Sequence, residues 1–465
     1  MSDKKTESKA LKEKLFYKSE NCAKALSQAE IDKSTEFCEG YKKFMDAAKT
    51  EREATKVSIK MLEDKGFVEF DKNKKYNAGD KVYYNNRGKA VIAAVVGTKD
   101  LSNGVHLIAS HIDSPRLDLK PSPLYEDGEI ALFKTHYYGG IKKYQWAAIP
   151  LAIHGVIIKK DGTTVEICIG EDENDPIFCV NDLLPHLANM QAERKMYDVI
   201  KGEELNVMVG SIPYEGEESD AIKLNIMKLL NEKYGIVESD FISAEIEIVP
   251  AYKAKDVGFD RSMIAAYGHD DRVCAYTSLM AILECEKPEI TAVCILADKE
   301  ETGSNSNTGL DTAYFEYFIA DLAKPHGIEG RTVLSASKCL SADVNAAFDP
   351  TFPSVLEKNN AAYINHGLVI TKYTGSRGKS STNDASAEFV GEVTRLFDAN
   401  GVKWQSAELG KVDEGGGGTV AVYLAALDMD VVDVGVGVLS MHAPYEVVSK
   451  LDTYMTYKGF EAFYK

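Results

Sequence analysis

The residues best suited to chemistry in this sequence are two adjacent glutamates, Glu300 and Glu301, which closely follow the apolar run 292–296. A run of this length with β-branched residues is typical of a strand buried on both faces, and ligands of open α/β sheets bind beyond the carboxyl ends of such strands. Neighbouring side chains on extended backbone point in different directions, so one glutamate could hold a metal ion while the other transfers protons. Because glutamate pairs are also common on solvated surfaces, this interpretation requires partners elsewhere.

A histidine and an aspartate follow another short apolar run. Beyond the run 105–109 stand His111 and Asp113, two residues apart and therefore on the same side of an extended chain. In that spacing the imidazole can bind a metal ion through one nitrogen while the aspartate accepts a hydrogen bond from the other nitrogen. A lone histidine at such a position is often purely structural, so both interpretations stay open at this point.

Two more ligand-type residues occupy comparable positions. Asp343 follows the apolar run 332–340, and His442 follows the run 431–439. We expect both side chains at strand ends, beside the glutamate pair.

Two aspartates, Asp270 and Asp271, precede a predicted helix over 273–283. One of them is expected to cap the helix, which leaves the other free to bind a cation. Packing alone does not explain ligand-type residues at four strand ends and one helix start, so the sequence predicts a metal site.

These residues require a scaffold, and the length of 465 residues favours two domains. Apolar positions at helical spacing over 8–64 predict two or three helices, and short β-like runs follow. The region 121–253 is β-like with acidic loops and contains no candidate ligand cluster, so we interpret it as an inserted domain. The main domain is then discontinuous, over 1–120 and 254–465, and the fold class is α/β.

Composition excludes several classes of protein. The net charge of -18 disfavours nucleic acid and anionic membranes as partners, and no apolar run reaches the roughly 18 residues of a membrane helix. The charged N-terminus lacks the apolar segment of a signal peptide, so a cytoplasmic location is expected. The 8 cysteines are scattered without a C-x-x-C motif, which predicts neither disulfides nor a thiolate zinc site.

A glycine run at 415–418 follows Asp413 and Glu414. No Gly-Lys-Ser/Thr motif follows, so a phosphate-binding loop is disfavoured. A tight turn, which lets the backbone approach the site or a neighbouring strand, is the better interpretation.

In this chain order the candidate ligands resemble those of the co-catalytic di-zinc aminopeptidases, most closely the aspartyl aminopeptidase family. The matching stretches are 110–116, 269–272, 298–304, 341–343 and 441–446. The resemblance implies a mixed-sheet zinc-peptidase domain with helices on both faces. It also implies that the inserted region, which contains the family-like stretches 137–140 and 185–188, is a β-rich dimerisation domain.

The family pattern also implies a role for each candidate residue. Asp270 would bridge two zinc ions, His111 and Asp343 would complete one, and Glu301 and His442 the other. Glu300 would be the general base, and Asp113 would orient His111. The ions would activate a water, polarise the peptide carbonyl and anchor the substrate's amine. Cobalt or manganese would also fit these ligands.

The resemblance further implies short peptide substrates, a preference for N-terminal Asp or Glu, and a homo-oligomer, a dodecamer built from dimers. An acidic side chain needs a cation, and Arg377 and Lys379 in the Gly/Ser-rich loop 373–380 are candidates. A basic surface loop is an equal alternative. Asp413 and Glu414, if they approach the site, would favour neutral or basic residues.

Two departures from the family pattern bear on the substrate. Ala346 and Met190 stand where the family often has histidines associated with substrate contacts or neighbouring subunits. The alternatives are an aminopeptidase for neutral or basic residues, a di-zinc carboxypeptidase or deacylase, and a catalytically silent shell or cargo-binding protein. The presence of every ligand position and of Glu300 argues against the silent shell.

Overall fold

The structure is a computed structural model that describes residues 2–17, 19–375 and 377–465, with the backbone alone for residues 2–5. Met1, Lys18 and Ser376 lie outside the described residues, and Ser376 belongs to the predicted cationic loop. None of the described helices combines the length and apolar character that crossing a membrane requires.

Helices form at both ends of the chain and between the strands. They are α1 (Ser2–Leu15), α2 (Gln28–Ala47), α3 (Glu51–Asp64), α4 (Asn189–Ala192), α5 (Ala221–Tyr234), α6 (His269–Leu283), α7 (Tyr314–Ala323), α8 (Gly330–Ser335), α9 (Ala387–Ala399), α10 (Ala421–Ala425) and α11 (Lys450–Tyr464). Ser27 and Thr50 begin α2 and α3 with capping boxes, each exchanging hydrogen bonds with a glutamate three residues later.

The first sheet has nine strands in the described chain. They are, in chain order, β1 (Val68–Glu69), β2 (Lys81–Asn86), β3 (Ala90–Val95), β4 (Val105–His111), β14 (Thr291–Ala297), β15 (Lys338–Ser341), β17 (Leu368–Thr371), β18 (Trp404–Ser406) and β19 (Asp430–Gly435). Their spatial order is β1-β2-β3-β14-β4-β15-β19-β17-β18. The central strands β14, β4, β15 and β19 are parallel, so their carboxyl ends share one edge.

The central strands are buried on both faces. Along β3, Val91 and Ala93 join the core on one side, while Ile92 and Ala94 join the core on the other, as the two-residue repeat of a strand requires. Full burial of one such aliphatic side chain contributes about 1.5–3 kcal/mol. One face is covered by α2, α3, α6, α9 and α11, and the other by α7, α8 and α10. The predicted α/β class with helices on both faces is confirmed.

A second, antiparallel sheet has its own hydrophobic core. Its described strands are β5 (Arg116–Asp127), β6 (Ile130–Tyr138), β7 (Leu151–Ile158), β8 (Thr164–Ile169), β9 (Cys179–Val180), β10 (Val207–Gly210) and β11 (Ala244–Pro250), in the order β8-β7-β11-β5-β6-β10-β9. β5 begins close after His111, and the boundary placed at 120/121 from the sequence falls inside this strand.

A small third sheet completes the fold. Its described strands are β12 (Lys255–Val257), β13 (Met263–Ala266), β16 (Asn345–Ala346), β20 (Gly437–Leu439) and β21 (Glu446–Ser449), in the order β12-β13-β21-β20-β16. The run 431–439, predicted as one strand, is therefore divided between the first and third sheets. His442 lies in the turn between β20 and β21 rather than at the end of a central strand. The run 332–340 is also divided, into α8 and β15.

Candidate metal centre

The side chain of Asp270 joins two histidines. Its Oδ1 lies 3.3 Å from Nε2 of His111, and its Oδ2 lies 3.1 Å from Nε2 of His442. Asp270 and His111 are buried, whereas His442 remains partly exposed at the rim. A carboxylate with one oxygen toward each imidazole has the form of a bridging ligand.

The two adjacent glutamates diverge, as their position on a turning backbone predicts. Oε2 of Glu301 lies 3.6 Å from Nε2 of His442, and Oε2 of Glu300 lies 3.8 Å from Nε2 of His111. Lys299, which precedes them, has a φ of 70° and turns the chain sharply after β14. The turn brings one carboxylate to each histidine.

Asp343 approaches the cluster from the end of β15. Ligand atoms of His111, Asp271 and Asp343 lie within 4.8 Å of one another, as do those of His111, Asp270 and Glu301. The predicted metal ligands are thus brought together at one edge of the first sheet.

Asp271 has a different role from the helix cap that the sequence suggested for one aspartate of the pair. The start of α6 has no side-chain capping bond. Instead, Oδ2 of Asp271 accepts a hydrogen bond from the backbone N–H of His111 at 3.3 Å. The capping expectation is wrong because this carboxylate faces the backbone of His111 and the side chain of Cys274 rather than the backbone N–H groups of the first turn.

Asp113 connects the two halves of the cluster. Its Oδ1 lies 3.3 Å from Nδ1 of His111 and accepts from the backbone N–H of Glu300 at 3.1 Å. Its Oδ2 accepts from the backbone N–H of Glu301 at 3.2 Å and from the hydroxyl of Tyr138 at 2.7 Å. The carboxylate therefore orients His111 and the glutamate pair together, and it leaves Nε2 of His111 facing the cluster.

The second sheet reaches the cluster through the end of β6. Tyr138 donates to Asp113, and the carbonyl of Gly140 accepts from Nδ1 of His442 at 2.8 Å. Gly139 lies between them with a φ of 74°, and a Cβ there would lie 3.2 Å from Oε2 of Glu301. This close approach explains why a glycine is needed at position 139.

Glu446 is a supporting residue to which the sequence analysis gave no role. Its Oε1 accepts from the backbone N–H of His442 at 2.6 Å, and its Oε2 accepts from that of Asp270 at 3.0 Å. Glu446 is fully buried on β21, and burial raises the pKa of its carboxyl to about 8. Its position four residues after His442, within a family-like stretch, was the available signal.

Burial governs the electrostatics of the centre. It raises the pKa values of Glu301 and Asp343 well above their ordinary range. Burial also opposes ionisation of Asp270, but hydrogen bonds from His111 and His442 outweigh it and lower the pKa of Asp270. The centre thus concentrates acidic groups in a place that favours added positive charge.

The residues present fit the binding of divalent metal ions such as zinc. Among the described residues, Oε1 of Glu301 and Oδ1 of Asp271 are buried without a hydrogen-bond partner. Imidazole nitrogens and carboxylate oxygens are zinc ligands, and a cation would satisfy these buried oxygens.

The two cations of the predicted cationic loop have neighbours other than the metal-type ligands. Arg377 and Lys379 line a cavity of about 150 Å³ together with Glu408 and Asp413. Nζ of Lys379 pairs with Asp384 at 2.9 Å. Among the described residues, no hydrogen bond or ion pair joins Arg377 or Lys379 to the metal-type ligands.

Comparisons with known proteins agree with this geometry. The family model described as aminopeptidase I zinc metalloprotease (M18) matches residues 44–464. A probable M18 family aminopeptidase 1 of Clostridium acetobutylicum is 54% identical over 432 residues, covering 91% of this chain and 93% of that protein. The crystal structure of an M18 family aminopeptidase from Thermotoga maritima has a TM-score of 0.93 at 46% identity, covering 97% of this chain and 100% of that chain. The S. cerevisiae mApe1 dodecamer, at 21% identity, has a TM-score of 0.75, covers 94% of this chain and 97% of that one, and shares the fold.

Proposed function

This chain belongs to the M18 family of zinc metallo-aminopeptidases, and from that premise we propose that its centre holds two zinc ions bridged by Asp270. The observation that carries the proposal is the placement of the two carboxylate oxygens of Asp270, 3.3 Å from Nε2 of His111 and 3.1 Å from Nε2 of His442. His111 and Asp343 complete the ligands of one ion, and Glu301 and His442 those of the other. Cobalt or manganese suits the same ligands.

Glu300 is the general base of the proposed mechanism. Zinc ions in the centre supply polarisation of the peptide carbonyl and a lowered pKa for water. The carboxylate of Glu300 lies beside His111, and burial raises its pKa to about 7, close to neutral pH, although His111 opposes the shift. A base with a pKa near the working pH accepts a proton from water and returns it to the leaving nitrogen efficiently.

Asp113 is the positioning residue of this mechanism. It fixes the ring of His111 through Nδ1 and the backbone of Glu300 through its N–H. Base and metal ligand therefore keep a constant separation during proton transfer.

A comparison of free and N-acetylated peptides tests the reaction class. An aminopeptidase whose centre anchors the substrate's amine cleaves the free peptide and leaves the acetylated one intact. Cleavage of N-acetylated peptides from the carboxyl end, or removal of the acetyl group, would instead support the carboxypeptidase or deacylase alternatives.

We also propose a preference for N-terminal Asp or Glu that depends on Arg377 or Lys379. Arg377 supports this assignment better than Lys379, because Lys379 is already paired with Asp384. Glu408 and Asp413 share the cavity and oppose an acidic side chain, which favours the alternative of neutral or basic residues. The ratio of kcat/KM for Asp-headed and Leu-headed peptides decides between them. A preference for Asp that falls in Arg377→Ala supports the proposal, whereas a Leu preference that is unchanged in Arg377→Ala and Lys379→Ala refutes it.

We also propose that the chain forms a homo-oligomer, a dodecamer built from dimers. Support comes from the segment that connects β9 to β10, where large apolar side chains are exposed in the isolated chain. They include Leu183, Leu184, Leu187, Met190, Met196 and Tyr197. Concentrated apolar exposure of this kind marks a protein interface. The S. cerevisiae mApe1 structure that shares the fold is a dodecamer. An assembly of this chain that encloses its active sites would restrict substrates to short peptides.

We further propose a cytoplasmic location. All 8 cysteines are free thiols, including the exposed Cys168, which suits a reducing compartment. Fractionation of the source cells with an activity assay tests this assignment, and activity confined to the extracellular fraction would contradict it.

A further inference from the structure

A second cluster of metal-type ligands lies between α3 and the second sheet, away from the catalytic centre. Ligand atoms of Glu53, His154 and Cys168 lie within 4.8 Å of one another. His154 is buried in β7, and Cys168 is its direct cross-strand partner in β8. Residues paired in this way hold their side chains together on one face of the sheet.

The two nitrogens of His154 have different partners. Nδ1 lies 2.7 Å from Oε1 of Glu53, within the cluster, and Nε2 lies 3.1 Å from Oε1 of Glu171. Histidines that bind metal ions commonly donate their other N–H to a carboxylate, which fixes the ring. Glu171 provides that carboxylate here, so Nδ1 faces the cluster.

The carboxylates are themselves held in place. Oε2 of Glu53 accepts from the backbone N–H groups of Lys49 and Thr50 at 3.1 and 3.2 Å, which leaves its Oε1 for the cluster. Glu171 is held by the ammonium groups of Lys49 and Lys253, each at 2.6 Å. These contacts preorganise both oxygen donors before any ion binds.

The imidazole of His154 has a carboxylate at each of its nitrogens, Glu53 at Nδ1 and Glu171 at Nε2. A cavity of about 260 Å³, lined in part by Glu53 and Cys168, gives access from solvent.

We propose that Glu53, His154 and Cys168 form a further site for a divalent transition-metal ion, with zinc as the best match. Imidazole nitrogen, carboxylate oxygen and thiolate sulfur are the three ligand types of zinc, and the thiolate disfavours calcium and magnesium. Three protein ligands leave a fourth position for water from the cavity. Binding displaces the thiol proton of Cys168 and the Nδ1 proton of His154. The ion ties α3 of the main body to the β7–β8 hairpin of the second sheet.

Cobalt titration of the metal-free full-length protein tests this site. A thiolate ligand gives cobalt a charge-transfer absorption, and the proposed catalytic ligands include no thiolate, so the band reports on the new site alone. Wild type should show the band and bind one cobalt ion per chain more than Cys168→Ser, which should lack the band. Cys179→Ser, a change in the same sheet outside the cluster, should behave as wild type.

One further variant, together with two more measurements on Cys168→Ser, separates a metal site from an ordinary ion pair. Glu171→Gln keeps all three ligands but removes the carboxylate behind His154, so cobalt affinity should fall by about 10-fold to 100-fold. Cys168→Ser should keep its aminopeptidase activity and its circular dichroism spectrum, because the exposed thiol touches neither the core nor the catalytic centre. Absence of the band in wild type, or its persistence in Cys168→Ser, would overturn the proposal.

Discussion

Two neighbouring glutamates of the same chemical type face different histidines because the backbone turns after β14. Glu301 reaches His442 with a distance of 3.6 Å, whereas Glu300 reaches His111 with a distance of 3.8 Å. Asp113 holds both backbone N–H groups. We therefore propose that Glu300 transfers protons and that Glu301 binds metal.

Replacing Glu300 by glutamine should separate these tasks. The amide keeps the shape of the side chain but cannot act as a base, so turnover should fall by about 100-fold to 10,000-fold while zinc content stays at the wild-type value. Asp270→Asn is the matched control, because it removes a proposed bridging charge and should lower zinc content itself. Elemental analysis beside steady-state kinetics gives both readouts, and equal zinc loss in the two variants would show that the roles are misassigned.

The residues of the centre differ in how far the sequence predicts them. His111, Glu300 and Asp343 are predictable because each follows an apolar run that ends at the ligand-binding edge of a sheet. Glu446 and Tyr138 carry only the weaker signal of lying within the family-like stretches 441–446 and 137–140, because their contacts with distant residues are encoded in no apolar pattern. Both act by hydrogen bonds to residues far away in the chain.

At the element scale, the end of β6 joins the second sheet to the metal centre. Tyr138 fixes Asp113 and the carbonyl of Gly140 fixes His442, so one short segment orients both imidazoles. The catalytic geometry therefore depends on the packing of the second sheet against the first.

Tyr138→Phe should weaken metal binding without unfolding the protein. The change removes the donor to Oδ2 of Asp113 but keeps the ring over Arg116, whose guanidinium carbon lies 3.9 Å from the ring centroid. Zinc affinity should fall by about 10-fold to 100-fold, the usual cost of losing an outer partner of a metal ligand. Competition with a chelating dye measures this. Tyr137→Phe, the neighbouring change on β6, should leave the affinity unaltered, and equal effects of both changes would exclude the proposed role.

The helices and strands named below lie where the sequence predicts them, apart from two apolar runs that are divided in the structure. The strands β4 and β14 and the early helices lie where the apolar patterns predict them. The run 431–439 predicts one strand but is divided between two sheets, and at the division Gly435 passes the backbone of Asp343 so closely that a Cβ would clash with the carbonyl oxygen of Asp343. The run 332–340 divides into α8 and β15. Such breaks arise from contacts between distant segments, and the local spacing of apolar residues does not encode these contacts.

For the whole molecule, the exposed apolar side chains of the segment between β9 and β10 support the proposed assembly. Leu187 is 68% exposed and Met190 is 83% exposed in the isolated chain. A second copy of the chain would remove these side chains from water, and each buried CH₂ group contributes about 0.8 kcal/mol.

Met190→Asp should therefore shift the assembly toward smaller species. Burying a carboxylate in an apolar interface costs desolvation free energy, and apolar contacts do not offset that cost. Light scattering at micromolar concentration should give a lower mass than wild type. Phe352→Asp, which changes an exposed apolar residue outside the second sheet, is the control and should keep the wild-type mass. A wild-type protein that is a fully active monomer would contradict the proposed assembly.

We propose above all that two metal ions act together at the edge of the first sheet. Zinc content per active chain tests it most directly, measured in Cys168→Ser so that the separately proposed site does not contribute. We expect two zinc ions per chain in fully active protein, loss of activity on chelation, and recovery that is complete only when the second equivalent is restored. Full activity with a single ion per chain, or with none, would rule out a centre in which two ions act together.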